Sequence, residues 1–350
     1  MKKCNAMASY FDENQLTLNI DKSGYMVING DFDKSGLGLN NGILKYVTSY
    51  VYLGYTLTDT GLVQEDIDQH ISSKRGNSTF KFMNFCRSNY TAPLVIKLKV
   101  LDACVNSCYL YGCDVWGKSN YSKLEVLHRQ ALRTALSIRQ SINNEIVYLE
   151  SGQYPLSCTI QSRQLKYWLK MKTFLQENND SYLNRLVTLA RVQNLPYISY
   201  YDALVNNHGS PKNCATSLQN TIREKWSRKI CNALADDIDS RLGVYKLINP
   251  DLAPASNNNI PEFERIVITR YRCGSHYLEI EKGRMQKRDR EYRLCACREI
   301  QTLHHVVFDC SLIDRLPTRV TSLKDFFELE SNVIAHFLKN CEKVLRVRNT

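Results

Sequence analysis

Cys295-Ala-Cys297-Arg-Glu-Ile-Gln-Thr-Leu-His304-His305-Val-Val-Phe-Asp-Cys310 decides how the last third of this chain is read. With His305 as the third ligand the spacing is C-x-C-x7-H-x4-C. Three thiolates and one imidazole within sixteen residues are enough to close a tetrahedral Zn²⁺ shell, the usual structural geometry for that ion. His305 leaves four residues before Cys310 and is the preferred ligand, and His304, leaving five, is the alternative. A plainer reading also stands: the chain has 13 Cys, and this stretch could hold buried, unligated thiols beside a histidine pair. C-x-C is one residue shorter than the usual C-x2-C knuckle.

Upstream of the cluster, Arg265 to Arg298 is the most basic window of the chain. Arg265, Arg270, Arg272, Lys282, Arg284, Lys287, Arg288, Arg290, Arg293 and Arg298 face only Glu279, Glu281, Asp289 and Glu291, a net charge of +6. A zinc-stapled segment needs little hydrophobic core, which leaves its surface free for charge. These ten residues are therefore the candidate phosphate contacts. The whole chain agrees in sign: 46 Lys+Arg against 35 Asp+Glu give +11 and pI ≈ 9.0, so polyanions, nucleic acid first, are the expected partners.

At 350 residues the chain has room for two or three domains with real cores. Its first fifteen residues, MKKCNAMASYFDENQ, turn polar too soon for a signal peptide, and no run of about 18 apolar residues occurs, which predicts no membrane span. An odd number of cysteines at irregular spacing suits a reducing, intracellular setting, cytoplasm or nucleus.

In chain order, residues 3–13 read as helix. Leu16–Ile20 reads as an alternating strand, Lys22-Ser-Gly24 as a turn and Tyr25–Ile28 as a second strand; Asn29–Leu44 reads as loop, and Tyr46–Leu57 as further β around Val51, so a small antiparallel unit is expected. From Leu62 the period becomes helical, through Ile67, Ile71, Phe80, Met83 and Phe85, then Leu94–Leu110 after Pro93. Leu124, Leu127, Ala131 and Ala135 line a third helix. A fourth, Ile160–Leu175, turns Leu165, Trp168 and Leu169 inward and carries a basic stripe of Arg163, Lys166 and Lys170, a solvated face or a contact surface. Leu218–Leu234 is another amphipathic helix, with Trp226 and Ile230 on its apolar side. Asn206–Asn213 and Asn249–Pro261 read as loops, the second as a domain boundary, and Leu323–Leu329 and Val333–Val344 as helices covering the metal module.

Gly112-Cys-Asp-Val-Trp-Gly117-Lys118-Ser119 satisfies the phosphate-loop pattern, but its context opposes that function. A phosphate loop follows a strand, whereas Val100–Tyr111 reads as helix, and the loop would set Trp116 and the anionic Asp114 against phosphate oxygens. Tyr109, Tyr111 and Trp116 are core aromatics or a base-stacking platform, with core preferred. Asp236, Asp237 and Asp239 form a solvated acidic face.

Taken together, the chain resembles the C-terminal half of a non-LTR (LINE-like) retrotransposon reverse transcriptase. Leu16-x-Leu-Asn19-x-x-Lys22-Ser23 looks like motif D of that family, Val51-Tyr-Leu-Gly54 like its primer-gripping hairpin, and Tyr109-Leu-Tyr-Gly-Cys-Asp-Val-Trp-Gly117 like the YG-x-E-x-W signature closing the thumb, with Asp114 in place of Glu. Gly283-Arg284, then Arg288, Arg290 and Arg293 into Cys295 and Cys297, with Thr302, His305 and Cys310, look like its terminal zinc segment, Gln301 standing where Glu is habitual.

The resemblance implies a mainly α fold with a small α+β N-terminal part: a residual palm (1–60), a helical thumb (61–120), a helical linker (121–248) and a basic, zinc-stapled C-terminal module (249–350). Structural Zn²⁺ and RNA and DNA partners are expected, with no membrane. The family's catalytic aspartates, which hold Mg²⁺ for nucleotidyl transfer, have no counterpart here, since no Tyr-x-Asp-Asp occurs. Lys22 would then match motif D without its catalytic partners, and a truncated element that binds nucleic acid without polymerising it is expected. The competing expectation is a zinc-stabilised structural or protein-interaction domain whose basic surface is incidental.

Overall fold

The helical periods of the sequence become helices in the computed structural model, which describes residues 2–28, 36–39, 42–53, 55–61, 65, 68, 77–115, 120–179, 181–193, 196–255, 260–316 and 320–347. Among these the protein is mainly helical, with a small β region near the N-terminus. No described helix is long and apolar enough to cross a membrane.

After α1 (Lys2–Glu13), the expected strand Leu16–Ile20 does not form. Asn19 Oδ1 instead accepts the Lys22 N–H at 3.0 Å and caps a single 3₁₀ turn, Ile20–Lys22, because short polar side chains offer the backbone a local alternative to a ladder. Lys22 lies exposed at the end of this turn. The second expected strand shrinks to β1 (Gly24–Tyr25). The segment read as loop holds two strands, β2 (Leu37–Leu39) and β3 (Gly42–Tyr46), with Leu37 opposite Leu44, both buried. Their apolar alternation is only three to five residues long and is broken by glycines, so periodicity alone could not reveal it. The sheet is mixed, not purely antiparallel, since β1 runs parallel to β3. Strands β4 (Ser49–Tyr52) and β5 (Tyr55–Thr58) form a separate antiparallel pair in the region read as β. Residues 29–35, Gly54, Leu62, Ile67 and Ile71 lie outside the described residues.

Helix α2 (Ser78–Ser88) is followed by α3 (Leu94–Leu101), whose path continues through a π turn, Asp102–Asn106, to Tyr109. Then come α4 (Ser122–Leu136), α5 (Asn144–Ser151) and α6 (Leu156–Glu177). Leu124, Leu127, Ala131 and Ala135 of α4 are buried as their spacing requires. On α6, Leu165 and Trp168 are buried and Arg163, Lys166 and Lys170 are exposed.

Helix α7 (Tyr182–Val192) precedes α8 (Pro196–His208) and the long α9 (Pro211–Asp236). The polar stretch 206–213, read as loop, is mostly helix. Its polar residues are the end-signals themselves: Gly209 takes φ +66°, Ser210 Oγ accepts the Asn213 N–H at 3.2 Å, and Pro211 opens α9. On α9, Ile230 is buried and Trp226 stacks on both Tyr148 and Tyr154. Helices α10 (Arg241–Ile248), α11 (Glu262–Arg272), α12 (Glu279–Met285), α13 (Leu323–Phe327) and α14 (Ser331–Val347) complete the chain. No helix or strand occupies the described part of 249–261.

Three hydrophobic clusters organise these helices. The largest joins α2, α3, α4, α5 and α6 to Ile230, Leu242, Tyr245 and Cys273, and it runs across residue 120 without a break. A second gathers Leu165, Trp168, Val187, Tyr201 and Leu204. The third surrounds the cysteine cluster with Leu278, Leu303, Phe326, Ile334 and Leu338, so α13 and α14 do cover that module.

Buried ions tie the first cluster to the third. Glu262, at the start of α11, accepts from Lys97 Nζ (2.7 Å), from the Leu94 backbone N–H (3.1 Å), and from Arg265 through Nε and Nη2 (both 2.8 Å). Lys97 and Arg265 are no more than 1% exposed. Burial works against the charged carboxylate, but the Arg265 and Lys97 hydrogen bonds and charges outweigh it and hold Glu262 below the ordinary glutamate range. Elsewhere in the core, His128 is buried with neither ring nitrogen partnered among the described residues, and burial, with Arg129 nearby, pulls its pKa down to about 3.

Glu262→Ala would strand two buried cations, and a loss of about 3–5 kcal/mol is expected, measured as a fall in the urea midpoint. For His128 the folded-state pKa lies below the ordinary 6.5, so the unfolded chain takes up a proton that the folded one refuses between about pH 6.5 and 3. Stability therefore falls as pH drops through that window. In His128→Leu the decline should be shallower than in wild type, by thermal unfolding at stepped pH; parallel curves would remove His128 as the cause.

Candidate metal centre

The first two cysteines sit on a tight reversal of the chain. Leu294 bridges Ile300 in antiparallel fashion, the Cys295 N–H donates to Glu299 O (2.7 Å), and the Arg298 N–H donates to Cys295 O (2.9 Å). Arg298 takes φ +74°, a left-handed conformation that closes the turn and leaves its side chain exposed. Both thiols of the C-x-C pair thus enter one site despite the short spacing. The reversal is seated on α12 at Gly283, where a Cβ would strike the Arg293 side chain, so the residue must be glycine for Arg293 to lie across the helix.

The other two ligands come from a π turn, His305–Asp309, in which the Cys310 N–H donates to His305 O at 2.8 Å. Residues five apart on an α-helix stand about 140° from each other, at 100° per residue. The wider π turn closes much of that angle and brings His305 and Cys310 to one face.

Cys295, Cys297, His305 and Cys310 converge, their donor atoms all within 4.8 Å of one another. Cys295 Sγ and Cys310 Sγ lie 3.7 Å apart, close to the edge of about 3.8 Å that two ~2.3 Å Zn–S bonds at the tetrahedral angle would give. Cys297 Sγ lies 3.2 Å from His305 Nε2. Three soft thiolates and one imidazole nitrogen, all on one side of a turn, fit a metal ion and are compatible with zinc. Among the described residues this is the group of His, Cys, Asp and Glu able to hold one. The histidine choice resolves to His305: it is buried, whereas His304 is 61% exposed and faces Asp309 Oδ2 at 3.1 Å.

The electrostatics of the site favour thiolate at Cys295. Burial opposes ionisation, but the Cys297 backbone N–H, the largest favourable influence, holds the Cys295 thiol below its ordinary value. Burial pushes Cys310 up to about 11, and burial also lowers His305, keeping its imidazole neutral as a ligand must be. Gln301 Oε1 accepts the Glu279 backbone N–H at 2.7 Å and the Gln301 N–H donates to Arg293 O, so this residue ties the reversal to α12. Nothing in the ligand spacing marks it.

No family model, curated protein or solved structure matches this chain.

The ten candidate phosphate contacts do not form one surface. Arg265 is a correction: it is buried against Glu262 and cannot reach a phosphate. Arg272 is held by buried Glu150 (2.9 Å), Lys282 and Arg288 by Glu279 (2.8 and 2.6 Å), Arg284 by Glu281, and Arg290 by Asp239. Asp239 is therefore an ion-pair partner and not part of a merely solvated acidic face. Arg293 donates through Nε to Arg288 O at 2.9 Å. Arg270, Lys287 and Arg298 are exposed with no carboxylate partner among the described residues. Charge counting could not foresee this, because the acids involved lie as far off as Glu150 and Asp239.

Cys113–Val115 forms a 3₁₀ turn, and the helical path running to Tyr109 supports the rejection of a phosphate loop. Tyr109 is buried, as a core aromatic, and Tyr111 is exposed. Trp116, Gly117, Lys118 and Ser119 lie outside the described residues.

Purified protein should carry about one zinc equivalent per chain by inductively coupled plasma mass spectrometry. Cys297→Ser and His305→Ala should drop it below about half an equivalent, and His304→Ala should leave it unchanged. Equal loss in both histidine variants would reject the assignment.

Proposed function

We propose that this protein is a nucleic-acid-binding chain of the non-LTR retrotransposon reverse transcriptase kind, in which a structural Zn²⁺ held by Cys295, Cys297, His305 and Cys310 organises a basic C-terminal module that engages RNA and DNA. The observation that carries the reading is the convergence of those four donors, at the end of a chain whose upstream motifs occur in the family's order. The net charge of +11 supports a polyanionic partner. The mainly helical build after a small β region is compatible with a residual palm followed by thumb and linker.

In this reading the metal serves binding rather than chemistry. Three thiolates and an imidazole fill a tetrahedral shell and leave no open position for substrate. The ion, when bound, supplies cross-linking: it fixes the Cys295–Arg298 turn to the His305–Cys310 turn. The chain's own residues do the rest, Gln301 joining the reversal to α12 and the arginines of 284–293 bracing it through Glu281, Asp239 and the Arg288 carbonyl. With no Tyr-x-Asp-Asp in these 350 residues, the proposed role is to grip nucleic acid and not to extend it.

One observation favours a second reading, a zinc-stabilised protein-interaction domain. Most arginines between 265 and 293 are already neutralised by carboxylates, so much of the basic window is internal mortar.

The two readings separate in a salt titration. Nucleic-acid binding through phosphates predicts that log K falls linearly with log salt, and that loss of one contact lowers the slope by roughly one. Fluorescence anisotropy with single- and double-stranded RNA and DNA should show this. A flat salt dependence, or no binding near 100 mM salt, would leave the interaction-domain reading.

A further inference from the structure

Helices α11 and α14, both of which pack on the core around the metal cluster, lie side by side and carry exposed cations and rings on their outer face. Phe263 and Arg270 are seven residues apart on α11, and Lys339 and Arg346 seven apart on α14. Each pair therefore lies along one face, about 10 Å long. Lys339 Nζ stands 3.2 Å above the centroid of Phe263. At the other end Tyr277 receives two guanidinium groups, Arg139 at 4.9 Å and Arg346 at 5.4 Å. Both rings are 50% exposed.

Arg139, Arg270 and Lys339 differ from the arginines bracing the metal module in having no carboxylate partner among the described residues, while Arg346 pairs with Glu342. Arg139 Nη2 donates to His276 O (2.7 Å) and Arg270 Nε to Ser137 O (3.0 Å), both neutral carbonyls. Lys339 has its ring contact and no carboxylate partner among the described residues. Arg346 Nη2 is 3.7 Å from Oε2 of the half-buried Glu342, whose Oε1 accepts the Tyr271 hydroxyl at 3.0 Å. Two guanidinium groups drawn to one phenol ring repel each other, and an arriving phosphate would relieve that repulsion.

We infer that this strip, Phe263, Arg270, Lys339 and Arg346 with Tyr277, is the surface that binds single-stranded polynucleotide, phosphates on the three exposed cations and bases on the solvent-open faces of the two rings, while Arg139, held by His276 O, braces Tyr277 from beneath. The inference rests on the nucleic-acid reading above and gives it a location. Cations alone would suit any polyanion. Half-exposed rings set between them suit bases, since every base has a π face for aromatic stacking and a duplex hides those faces. A small cleft between Tyr277 and Arg346 is lined by Leu278, Lys282, Gln301 and Glu342.

The test uses the full chain with bound zinc, fluorescein-labelled single-stranded RNA and DNA, the matching DNA duplex, and polyglutamate as competitor. Tyr277→Ala should weaken single-strand binding by at least about five-fold, the low end for one stacked base, with duplex binding changed less than about two-fold. Tyr277→Phe keeps the ring and should bind single strands as wild type does, which separates ring loss from misfolding. Arg346→Ala should lower the salt slope by about one on RNA and DNA alike. Oligonucleotides carrying 5-iodouracil should photocrosslink to peptides containing Tyr277 or Phe263. If wild type binds but Tyr277→Ala is unchanged and crosslinks map elsewhere, this surface is wrong and the general reading survives. Polyglutamate competing at equal charge with as much effect as oligonucleotide would reduce the strip to a polyanion surface and overturn the inference. If wild type binds no nucleic acid, both readings fail.

Discussion

A single carboxylate, Glu262, holds the chain's first large core to its last. It sits inside the protein with a lysine, an arginine and a helix N-terminal amide all donating to it, and two of those donors come from a segment more than 160 residues upstream. Glu150 repeats the device, accepting from Tyr245 and Arg272, and Glu281 repeats it again with Arg241. Buried ion pairs add little net stability because desolvation cancels most of the attraction, but a mispaired one is costly. Their effect is to make one relative placement of α3, α11 and α12 acceptable and others expensive.

That constraint reshapes the meaning of the chain's basic composition. An arginine count reads as surface charge only if the arginines reach the surface unpaired. Here many are consumed between helices, so the composition overstates how many cations are free to meet a partner.

The legible and illegible parts of the sequence divide along the range of the interactions involved. Leu124, Leu127, Ala131 and Ala135 announce their helix because the period is local, and Cys295, Cys297 and Cys310 announce a metal site because ligand spacing is local. Leu16–Ile20 misleads since the Asn19 side chain bonds the Lys22 backbone N–H, and the antiparallel pair of β2 and β3 is hidden by its shortness. The break at Gly209 and Ser210 looks like a loop from composition and is a helix stop followed by a helix start. Arg265 and Arg272 look like phosphate ligands because Glu262 and Glu150 are matched to them only in three dimensions. The choice between His304 and His305 needed the fold as well, since both fit the spacing and only one faces inward.

The π turn at His305 has a consequence for how such a site tolerates change. A π turn is an α-helix carrying one extra residue. Ligands four apart on an α-helix stand about 40° from each other, so removing one residue from Val306–Asp309 would restore a regular helix and still leave imidazole and thiol on a common face. Two different lengths of chain can therefore present the same pair of donors, one by regular winding and one by a local bulge. Ligand spacing in centres of this design is elastic by one residue, and an insertion that would shift every side chain of an ordinary helix is absorbed within a single turn.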